Sequence, residues 1–445
     1  MYFATHFNNW YHVAPLAEVA RYVEELALWG CNALSVWFDM HHYAGLADPA
    51  AQRMVERLRL ILQAANRVGM GASLTMLANE AYASSPPSLR ADWTAGHDGY
   101  FAPPGDHYHV ELCPGKPGGL DLILQWRDEM LAAFGDIDLE YAWLWPYDQG
   151  GCTCADCAPW GANGFLKTSA AVAQLVRARF PRARIVLSTW YFDHFVRDEW
   201  RRLAETFQHR RPDWIDYLLI DDFGGFPKYP LRHGVPGDFP VLGFPEISME
   251  GMSPWGAFGA NPRPRHWASY HCQTRELLSG SFPYSEGVFE DLNKVLHLQW
   301  GWDPDRSMEA IVREYAAGHF TPDVAEGVLA AALMLEEDLG LHAERDAAGV
   351  RYRTGGLPRA TACFALLEDI ERRLPEAIRS SWRWRLLRLR AALDAELKRT
   401  GGRPSARSDG LLREVAALNH TADAHDFLRP PYGATTVEPG LSGRP

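Results

Sequence analysis

The chain has 445 residues and a formal net charge of −12 at pH 7, with 44 Lys and Arg against 56 Asp and Glu. This length is enough for one large core and a second, smaller domain. Phosphate binding depends on clustered Lys and Arg, so the acidic balance and the lack of a basic run argue against a nucleic-acid partner. No apolar run approaches the roughly 20 residues of a membrane helix, which argues against a membrane partner as well.

The N-terminus and the cysteines bear on the compartment. Met1–Phe7 has no positive leader, no apolar core and no cleavage site, so we expect a cytoplasmic protein, although a chain whose leader had been removed would look the same. Seven cysteines, four of them between positions 113 and 157, do not resemble a disulfide framework. The sequence does not fix an oligomeric state, and a homo-oligomer stays open.

The chain up to residue 302 alternates short apolar runs with amphipathic helical stretches. Strands are predicted at 2–6, 32–39, 71–77, 140–146, 185–190, 217–221, 241–244 and 281–284. Helices are predicted at 16–29, 49–68, 120–134, 165–180, 198–208 and 266–278. This alternation predicts an α/β protein with a parallel (β/α)8 TIM barrel. A doubly wound sheet fits less well, because no glycine-rich dinucleotide turn follows the first strand.

The composition changes after residue 302. Residues 303–430 are rich in Ala, Leu, Glu and Arg and show no strand pattern, which predicts an all-helical C-terminal domain behind a barrel of residues 1–302. Residues 431–445 are rich in Pro and Gly and predict a tail.

Carboxylates follow most of the predicted strands. In a parallel barrel the active site lies at the C-terminal ends of the strands, so these acids are site candidates. Each alone could equally be a helix cap or a turn residue, and Asp39 and Asp222 fit a turn best. Asp148 and Glu286 fit a turn least, because each lies among Gly and aromatic residues where the backbone can approach a ligand. The candidate acids are Asp39, Glu80, Asp148, Asp193, Asp221 with Asp222, Glu246 and Glu286.

Aromatic and polar side chains accompany these acids. The chain has 17 Trp and 17 Tyr, more than packing requires, and an aromatic face can stack on the C–H face of a pyranose. For any single Trp, core packing is still the better interpretation. A ring of carboxylates and indoles suits glycoside hydrolysis, in which one acid protonates the leaving oxygen while a second group supports an oxocarbenium-like transition state. The predicted substrate-binding residues are His6, Trp37, Asp39, Asn79, Glu80, Trp145, Tyr147, Gln149, Trp190, Tyr191, Asp222 and Tyr284.

Cys152, Cys154 and Cys157 place three thiols in one short loop at C-x-C-x-x-C spacing. This spacing suits tetrahedral Zn2+ and suits a disulfide poorly. Cys113 lies after the third predicted strand, whose loop adjoins the loop after the fourth in a barrel, so it is the natural fourth ligand; His107 and His109 are alternatives. The pattern predicts a structural Zn2+ site that ties two long loops, with reduced thiols as the competing interpretation. No organic cofactor is indicated.

Two segments carry a resemblance to known enzymes. They are W-P-Y-D-Q-G-G-C-T-C-A-D-C at 145–157 and P-Y-S-E-G-V-F-E-D-L-N-K at 283–294, with W-G-W-D-P-D at 300–305 behind the second. Together they resemble the barrel glycosidases grouped near the family 20 β-N-acetylhexosaminidases, the α-glucuronidases and the family 163 endo-β-N-acetylglucosaminidases. The resemblance implies a barrel with a helical C-terminal extension, acid/base machinery at Asp148 and a sugar-gripping acid at Glu286.

One position departs from the family 20 pattern. Those enzymes carry Asp-Glu after strand four, with the Glu as proton donor, whereas this chain has Asp148-Gln149. A glutamine cannot donate a proton as a general acid. Either Asp148, Glu246 or Glu286 donates, or the chain is not a family 20 hexosaminidase.

The sequence therefore predicts a glycoside hydrolase with Asp148, Glu286 and Glu246 as catalytic residues, acting on an N-acetylhexosaminide or another pyranoside oligosaccharide. One alternative is a hydrolase or lyase for uronic-acid glycosides, with Lys228, Arg232 or Arg265 holding the carboxylate. The other is a non-catalytic barrel that binds glycans or a protein partner, which the glutamine at position 149 favours.

Overall fold

The computed structural model describes residues 1–5, 9–92, 110–147, 151–222, 225–248, 262–339, 342–346, 349–353 and 356–420. The chain divides into two compact units. The first contains Met1–Tyr2, Leu16–Pro245 and Leu277–Phe282, and the second contains Phe3–Pro15, Glu246–Glu276 and Pro283–Pro445. The predicted domain boundary at 302/303 and the tail at 431–445 stay predictions.

The first unit is built on a parallel sheet. Its strands are β1 (Tyr2–Phe3, which the unit boundary divides), β2 (Ala33–Trp37), β3 (Gly71–Leu77), β4 (Leu139–Trp145), β5 (Arg184–Ser188), β6 (Tyr217–Asp221), β7 (Val241–Phe244) and β8 (Leu278–Ser281). They lie in the order β8-β7-β6-β5-β4-β3-β2-β1, and every pair from β2–β3 to β7–β8 is parallel. β2 and β3 are buried along their whole length, as expected of strands covered on both faces. The predicted parallel α/β organisation is confirmed.

Helices alternate with these strands. They are α2 (Leu16–Leu28), α3 (Pro49–Arg67), α4 (Gly119–Ala133), α5 (Gly164–Arg179), α6 (Glu199–His209) and α7 (Lys228–His233); α1 (Trp10–Val13) belongs to the second unit. Local signals explain where they start. α3, for example, begins with Pro49 in its first turn, and Asp48 accepts the Ala50 amide at 2.8 Å.

The eighth predicted strand, 281–284, needs a correction. The structure has two short strands here, β8 at Leu278–Ser281 and β9 at Tyr284–Ser285. β8 pairs with β7 in the first unit, whereas in the second unit the Ala4 amide donates to the Ser285 carbonyl at 2.8 Å. Pro283 lies at the break, and a proline has no N–H to donate to a ladder.

The second unit is mainly helical. Its longer helices are α8 (Pro264–Thr274), α9 (Asp291–Trp302), α10 (Met308–His319), α11 (Ala325–Glu337), α12 (Ala360–Glu371), α14 (Trp382–Arg399) and α15 (Ala406–Leu418), with the single turn α13 (Glu376–Arg379) before α14. Ser307, Ser381 and Ser405 each accept a backbone amide in the first turn of the helix that follows. Leu357, Ala360, Leu393 and Leu397 form one of the buried clusters between these helices.

The region 303–430 is not entirely helical, contrary to the prediction. β10 (His342–Asp346) and β11 (Gly349–Arg353) pair in an antiparallel hairpin. β10 is mostly charged, and β11 alternates apolar and charged residues over only five positions, so neither segment stands out as a strand in the sequence. Among the described residues, no helix combines the length and the apolar character needed to cross a membrane.

Candidate active site

Glu80 organises the ends of β2 and β3 in the first unit. It follows β3, is 1% exposed, and accepts the Trp37 indole N–H at Oε2 over 3.1 Å. Its Oε1 lies 2.7 Å from Nδ1 of His41, and its Oε2 lies 3.8 Å from the buried guanidinium of Arg127. Both oxygens of Glu80 are therefore engaged by protein groups that fix an indole and an imidazole at the strand ends. Its predicted contact with substrate stays a prediction.

Asp39 lies beside this cluster, just beyond β2. Its Oδ2 is 2.6 Å from Nδ1 of His42, and this hydrogen bond raises the pKa of His42. Oδ1 of Asp39 is buried and has no hydrogen-bond partner among the described residues. Ligand atoms of Asp39, His41 and His42 all lie within 4.8 Å of one another, so this corner could hold a cation.

The indoles at the strand ends pack against one another. The Trp145 ring lies 6.0 Å from Trp37 and 5.6 Å from Trp190, measured between centroids. It also stacks on Trp143 at 5.7 Å, and all four rings are buried. Ring-to-ring packing accounts for much of their surface, and their predicted stacking on sugar stays a prediction.

Tyr147 follows β4 and is held from the first turn of α6. Its hydroxyl donates to Oε1 of Glu199 over 2.6 Å, and the Gly161 amide donates to the same oxygen over 2.8 Å. Glu199 is fully buried, and this burial raises its pKa to about 8, although the bond from Tyr147 opposes the rise. Asp193, a candidate strand-end acid, accepts the Glu199 amide at 2.6 Å and so acts as a cap for α6. The sequence interpretation missed Glu199 because a glutamate in the first turn of a helix is commonplace.

The four predicted metal ligands converge. Cys113 Sγ lies 3.6 Å from Cys154 Sγ and 3.8 Å from Cys157 Sγ, and the Sγ atoms of these three residues and Cys152 all lie within 4.8 Å of one another. All four are free thiols. Tetrahedral Zn2+ with bonds of about 2.3 Å would hold its sulfur ligands about 3.8 Å apart. The thiol spacing therefore fits a four-cysteine metal site and not a disulfide, whose sulfur atoms are about 2 Å apart.

Glu286 lies directly after β9 in the second unit and is buried. The Tyr284 hydroxyl donates to its Oε1 over 2.9 Å, while Oε2 has no hydrogen-bond partner among the described residues. Burial raises the pKa of Glu286 well above its usual value; the bond from Tyr284 lowers it, and the charge of Glu290 raises it further. Burial thus favours the neutral form of Glu286, and its Oε2 has no hydrogen-bond partner among the described residues.

Glu246 belongs to a segment that lies against Glu286. Ser248, two residues further on, donates to the Tyr284 carbonyl over 3.2 Å and accepts the Glu286 amide over 3.0 Å. Glu246 itself is buried. The second unit therefore brings the segments of two predicted catalytic acids together.

The remaining predicted residues fall in three groups. Asp148, Gln149 and His6 lie outside the described residues. Asn79 is buried and donates to the Leu112 carbonyl over 2.9 Å. Asp222 is buried at the end of β6, and Tyr191 has a positive φ of 59° next to Trp190.

No family model matches this chain, and no curated protein matches it. Among solved structures, it is similar to a family GH115 4-O-methyl-α-glucuronidase specific for decorated arabinogalactans, with 9% identity and a TM-score of 0.50. That match covers 94% of this chain and 55% of the other, so the chain spans about half the length of that enzyme. An α-L-fucosidase from Lactobacillus casei matches at 12% identity and a TM-score of 0.36, covering 65% of this chain and 80% of that one. An α-amylase from Lactobacillus plantarum matches at 12% identity and a TM-score of 0.38, and the match covers 80% of this chain and 86% of that one.

These structural neighbours are glycoside hydrolases with barrel-like folds. The match to the glucuronidase extends over nearly the whole chain, and at 9% identity it shows a shared fold. The structural overlays on the fucosidase and the amylase are looser. The chain thus has an α/β fold that resembles glycoside hydrolase barrels, while a closed (β/α)8 barrel and the kinship with families 20 and 163 stay predictions.

Proposed function

We propose that the protein is a glycoside hydrolase in which Glu286 is the general acid. A general acid has to carry its proton at the working pH and needs an oxygen free to reach the leaving group. Glu286 suits both requirements, because burial favours its protonated form and its Oε2 has no hydrogen-bond partner among the described residues. This is the observation that carries the proposal. If Glu286 donates the proton, the glutamine at position 149 does not prevent catalysis, because the proton need not come from the loop after β4.

The second carboxylate of the mechanism is Asp148 or Glu246. Glu246 is supported by the Ser248 bridge, which holds its segment against Tyr284 and Glu286. Asp148 is supported by its place directly after the buried Tyr147. Separate Asn and Gln substitutions of the two acids assign this role, because loss of the second carboxylate affects all glycosides, whatever their leaving group.

The test of Glu286 uses substrates that differ in their need for a proton. For Glu286→Gln we expect kcat on p-nitrophenyl or natural glycosides to fall about 10²- to 10⁴-fold. Dinitrophenyl glycosides, whose leaving group departs without protonation, should be affected far less. The thermal transition should stay nearly unchanged, because glutamine can still accept the Tyr284 hydroxyl. Equal losses on both kinds of substrate would rule out the general-acid role.

We propose a pyranoside as the substrate, with N-acetylhexosaminides and uronides as the two classes to screen first. The sequence motifs favour the former. A uronide is favoured by the structural similarity to an enzyme described as a 4-O-methyl-α-glucuronidase. Release of aryl leaving groups from matched N-acetylglucosaminides and glucuronides separates the two. Calorimetric binding of a sugar with no product on prolonged incubation would instead indicate the non-catalytic alternative.

We further propose that Cys113, Cys152, Cys154 and Cys157 hold a structural Zn2+. The support is the close approach of their sulfur atoms and their attachment to two different loops. Such an ion would stabilise the loops after β3 and β4 and take no part in the chemistry. We also propose a cytoplasmic location, because four thiols whose spacing suits a metal and not a disulfide fit a reducing compartment.

A further inference from the structure

The motif from Tyr284 to Lys294 forms a turn around the Glu286 backbone. Glu290, at the start of α9, reaches back so that its Oε1 accepts three hydrogen bonds. The donors are the Ser285 hydroxyl at 2.7 Å, the Glu286 amide at 3.0 Å and the Gly287 amide at 3.2 Å. Hydrogen bonds to an ionised acceptor are about twice as strong as neutral ones. One carboxylate oxygen therefore holds the main chain at and just after the proposed acid.

Lys294 holds the same turn from the other side. It lies one helical turn beyond Glu290, and its Nζ is 3.6 Å from Glu290 Oε1. The ammonium donates to the Gly287 carbonyl and to the Tyr11 hydroxyl, the latter over 3.2 Å. Lys294 is fully buried and Glu290 is 4% exposed. A buried ion pair is tolerated when such additional hydrogen bonds satisfy its polar atoms.

The helices of the second unit anchor this turn. Asp291, next to Glu290, accepts the Tyr315 hydroxyl of α10 over 2.7 Å and the Arg383 guanidinium of α14 over 2.7 Å. Burial by itself raises the pKa of Asp291, but the ion pair with Arg383 outweighs it and keeps the net pKa below its usual value. The first turn of α9 is thus fastened to two helices while its side chains grip the Glu286 turn.

We propose that Glu290 and Lys294 are positioning residues for Glu286: together they fix its backbone, and Glu290 places a negative charge beside its carboxyl. The inference rests on the proposed function only in that Glu286 is taken as the acid. Among the described residues, the titratable groups around Glu286 in this unit are Glu290 and Lys294 of α9, Tyr11 of α1 and Tyr284 of β9, with Glu246 on the segment bridged by Ser248. Of the acids, Glu290 contributes the charge that raises the pKa of Glu286.

The variant Glu290→Gln separates electrostatics from geometry. The glutamine oxygen can still accept the Ser285, Glu286 and Gly287 bonds, but the negative charge is gone. We expect the titration midpoint of Glu286 to fall by about one pH unit or more. Infrared difference titration measures this midpoint directly, and the loss of a protonated-carboxyl band in Glu286→Gln assigns the band. In an active preparation, the basic limb of the kcat/KM profile should move to lower pH by the same amount.

Matched variants make the result specific. Glu336 also accepts two backbone amides, those of Arg265 and His266, so Glu336→Gln removes a similar charge elsewhere and should leave the Glu286 midpoint in place. Glu290→Asp keeps the charge and should keep the midpoint high. If Glu290→Gln does not fold, the neutral pair Glu290→Gln/Lys294→Met is titrated beside Lys294→Met, from which it differs only by the charge of Glu290.

The outcomes decide between the two proposals. A Glu286 midpoint that is the same in Glu290→Gln as in wild type, or the same in the neutral pair as in Lys294→Met, overturns the positioning proposal. Absence of turnover in the wild-type protein on every glycoside tested counts against the proposed function instead, because the infrared titration needs no substrate. A midpoint that falls in both Glu290→Gln and Glu336→Gln would show a general effect of charge and would also overturn it.

Discussion

Glu199 illustrates how a single buried carboxyl can organise a strand end. It accepts the Tyr147 hydroxyl after β4 and the Gly161 amide beyond the cysteine loop, and it lies in the first turn of α6. A fully buried carboxyl is costly when ionised, so its pKa rises to about 8. Tyr147 is consequently held by a partner that no local pattern in the sequence indicates.

The variant Glu199→Gln should become more stable than the wild type as pH rises. The folded pKa of Glu199 is above its unfolded value near 4.5, so between pH 4.5 and about 8 the unfolded state has released this proton while the folded state keeps it, and the wild-type protein loses stability over this range. Glutamine keeps the acceptor oxygen and does not titrate. The difference in the free energy of unfolding between Glu199→Gln and the wild type should be small at pH 5. It should grow by up to about 1.4 kcal/mol per pH unit and become constant above pH 8.

Urea unfolding at pH 5, 7 and 9 measures this difference. Glu205→Gln, on the exposed side of α6 and paired with Arg201, is the control and should show no such trend. A constant offset between Glu199→Gln and wild type at all three pH values would mean that Glu199 is already ionised near neutrality.

At the scale of elements, the loops after β3 and β4 are tied together by polar contacts as well as by the cysteines. The amide and the hydroxyl of Thr153, in the loop after β4, donate to the Asp92 carbonyl, in the loop after β3, over 2.7 and 3.0 Å. Within the loop after β3, the Lys116 ammonium donates to the Arg90 carbonyl over 2.7 Å. A Cβ at Gly119 would collide with the Cys113 carbonyl, so the start of α4 approaches the cysteine site closely. The parallel strands of the sheet bring the loops together, and the thiols fasten them.

Substitution of a single cysteine should release the proposed metal. We expect the purified protein to contain about one Zn2+ per chain, and Cys113→Ser or Cys154→Ser to lower that content sharply. The thermal transition should fall by about 5 °C or more, because metal binding contributes to the stability of the folded state. Elemental analysis and calorimetry check both. Cys272→Ser, an exposed thiol outside the cluster, should retain the metal; zinc contents equal in all variants would exclude the site.

At the scale of the whole molecule, buried carboxyls and buried histidines respond to pH in opposite directions. In the first unit, burial raises the pKa of both Glu111 and Glu199. In the second unit, burial lowers the pKa of three histidines, to about 4 in His266 and His319 and about 3 in His297. The buried carboxyls weaken the fold as pH rises, and the buried histidines weaken it as pH falls.

Acid should therefore destabilise the protein in part through its histidines. An unfolded histidine takes up a proton below about pH 6.5, whereas the folded His297 does so only near pH 3, so its contribution is fully present above 6.5 and is lost as pH falls from there. Between pH 6.5 and 4.5, the free energy of unfolding should fall by about 2–3 kcal/mol less in His297→Phe than in the wild type. Chemical denaturation across this range measures the difference, with the exposed His209→Gln as control. Parallel curves for His297→Phe and wild type would contradict the assignment.

The order of elements could be predicted because it depends on local patterns. Apolar runs of strand length and the 3.6-residue period gave the bounds of α3 and β3 to within a residue, since each element must bury one face whatever its neighbours are. The break at Pro283 was missed because an apolar run looks the same whether or not its register is interrupted. The hairpin at His342–Arg353 was not predicted because its first strand is mostly charged and the alternation in its second strand is only five residues long.

The amino-acid sequence by itself determined the parallel α/β class, the candidate acids after the strands and the four cysteines, because each of these follows from residue type and spacing. Only the tertiary structure decided which of these groups have hydrogen-bond partners within the protein. It engages Glu80 with Trp37 and His41, commits Glu199 to Tyr147, and leaves one oxygen of Glu286 without a hydrogen-bond partner among the described residues. Burial raises the pKa of Glu199 and of Glu286, and burial is not a property of the neighbouring sequence.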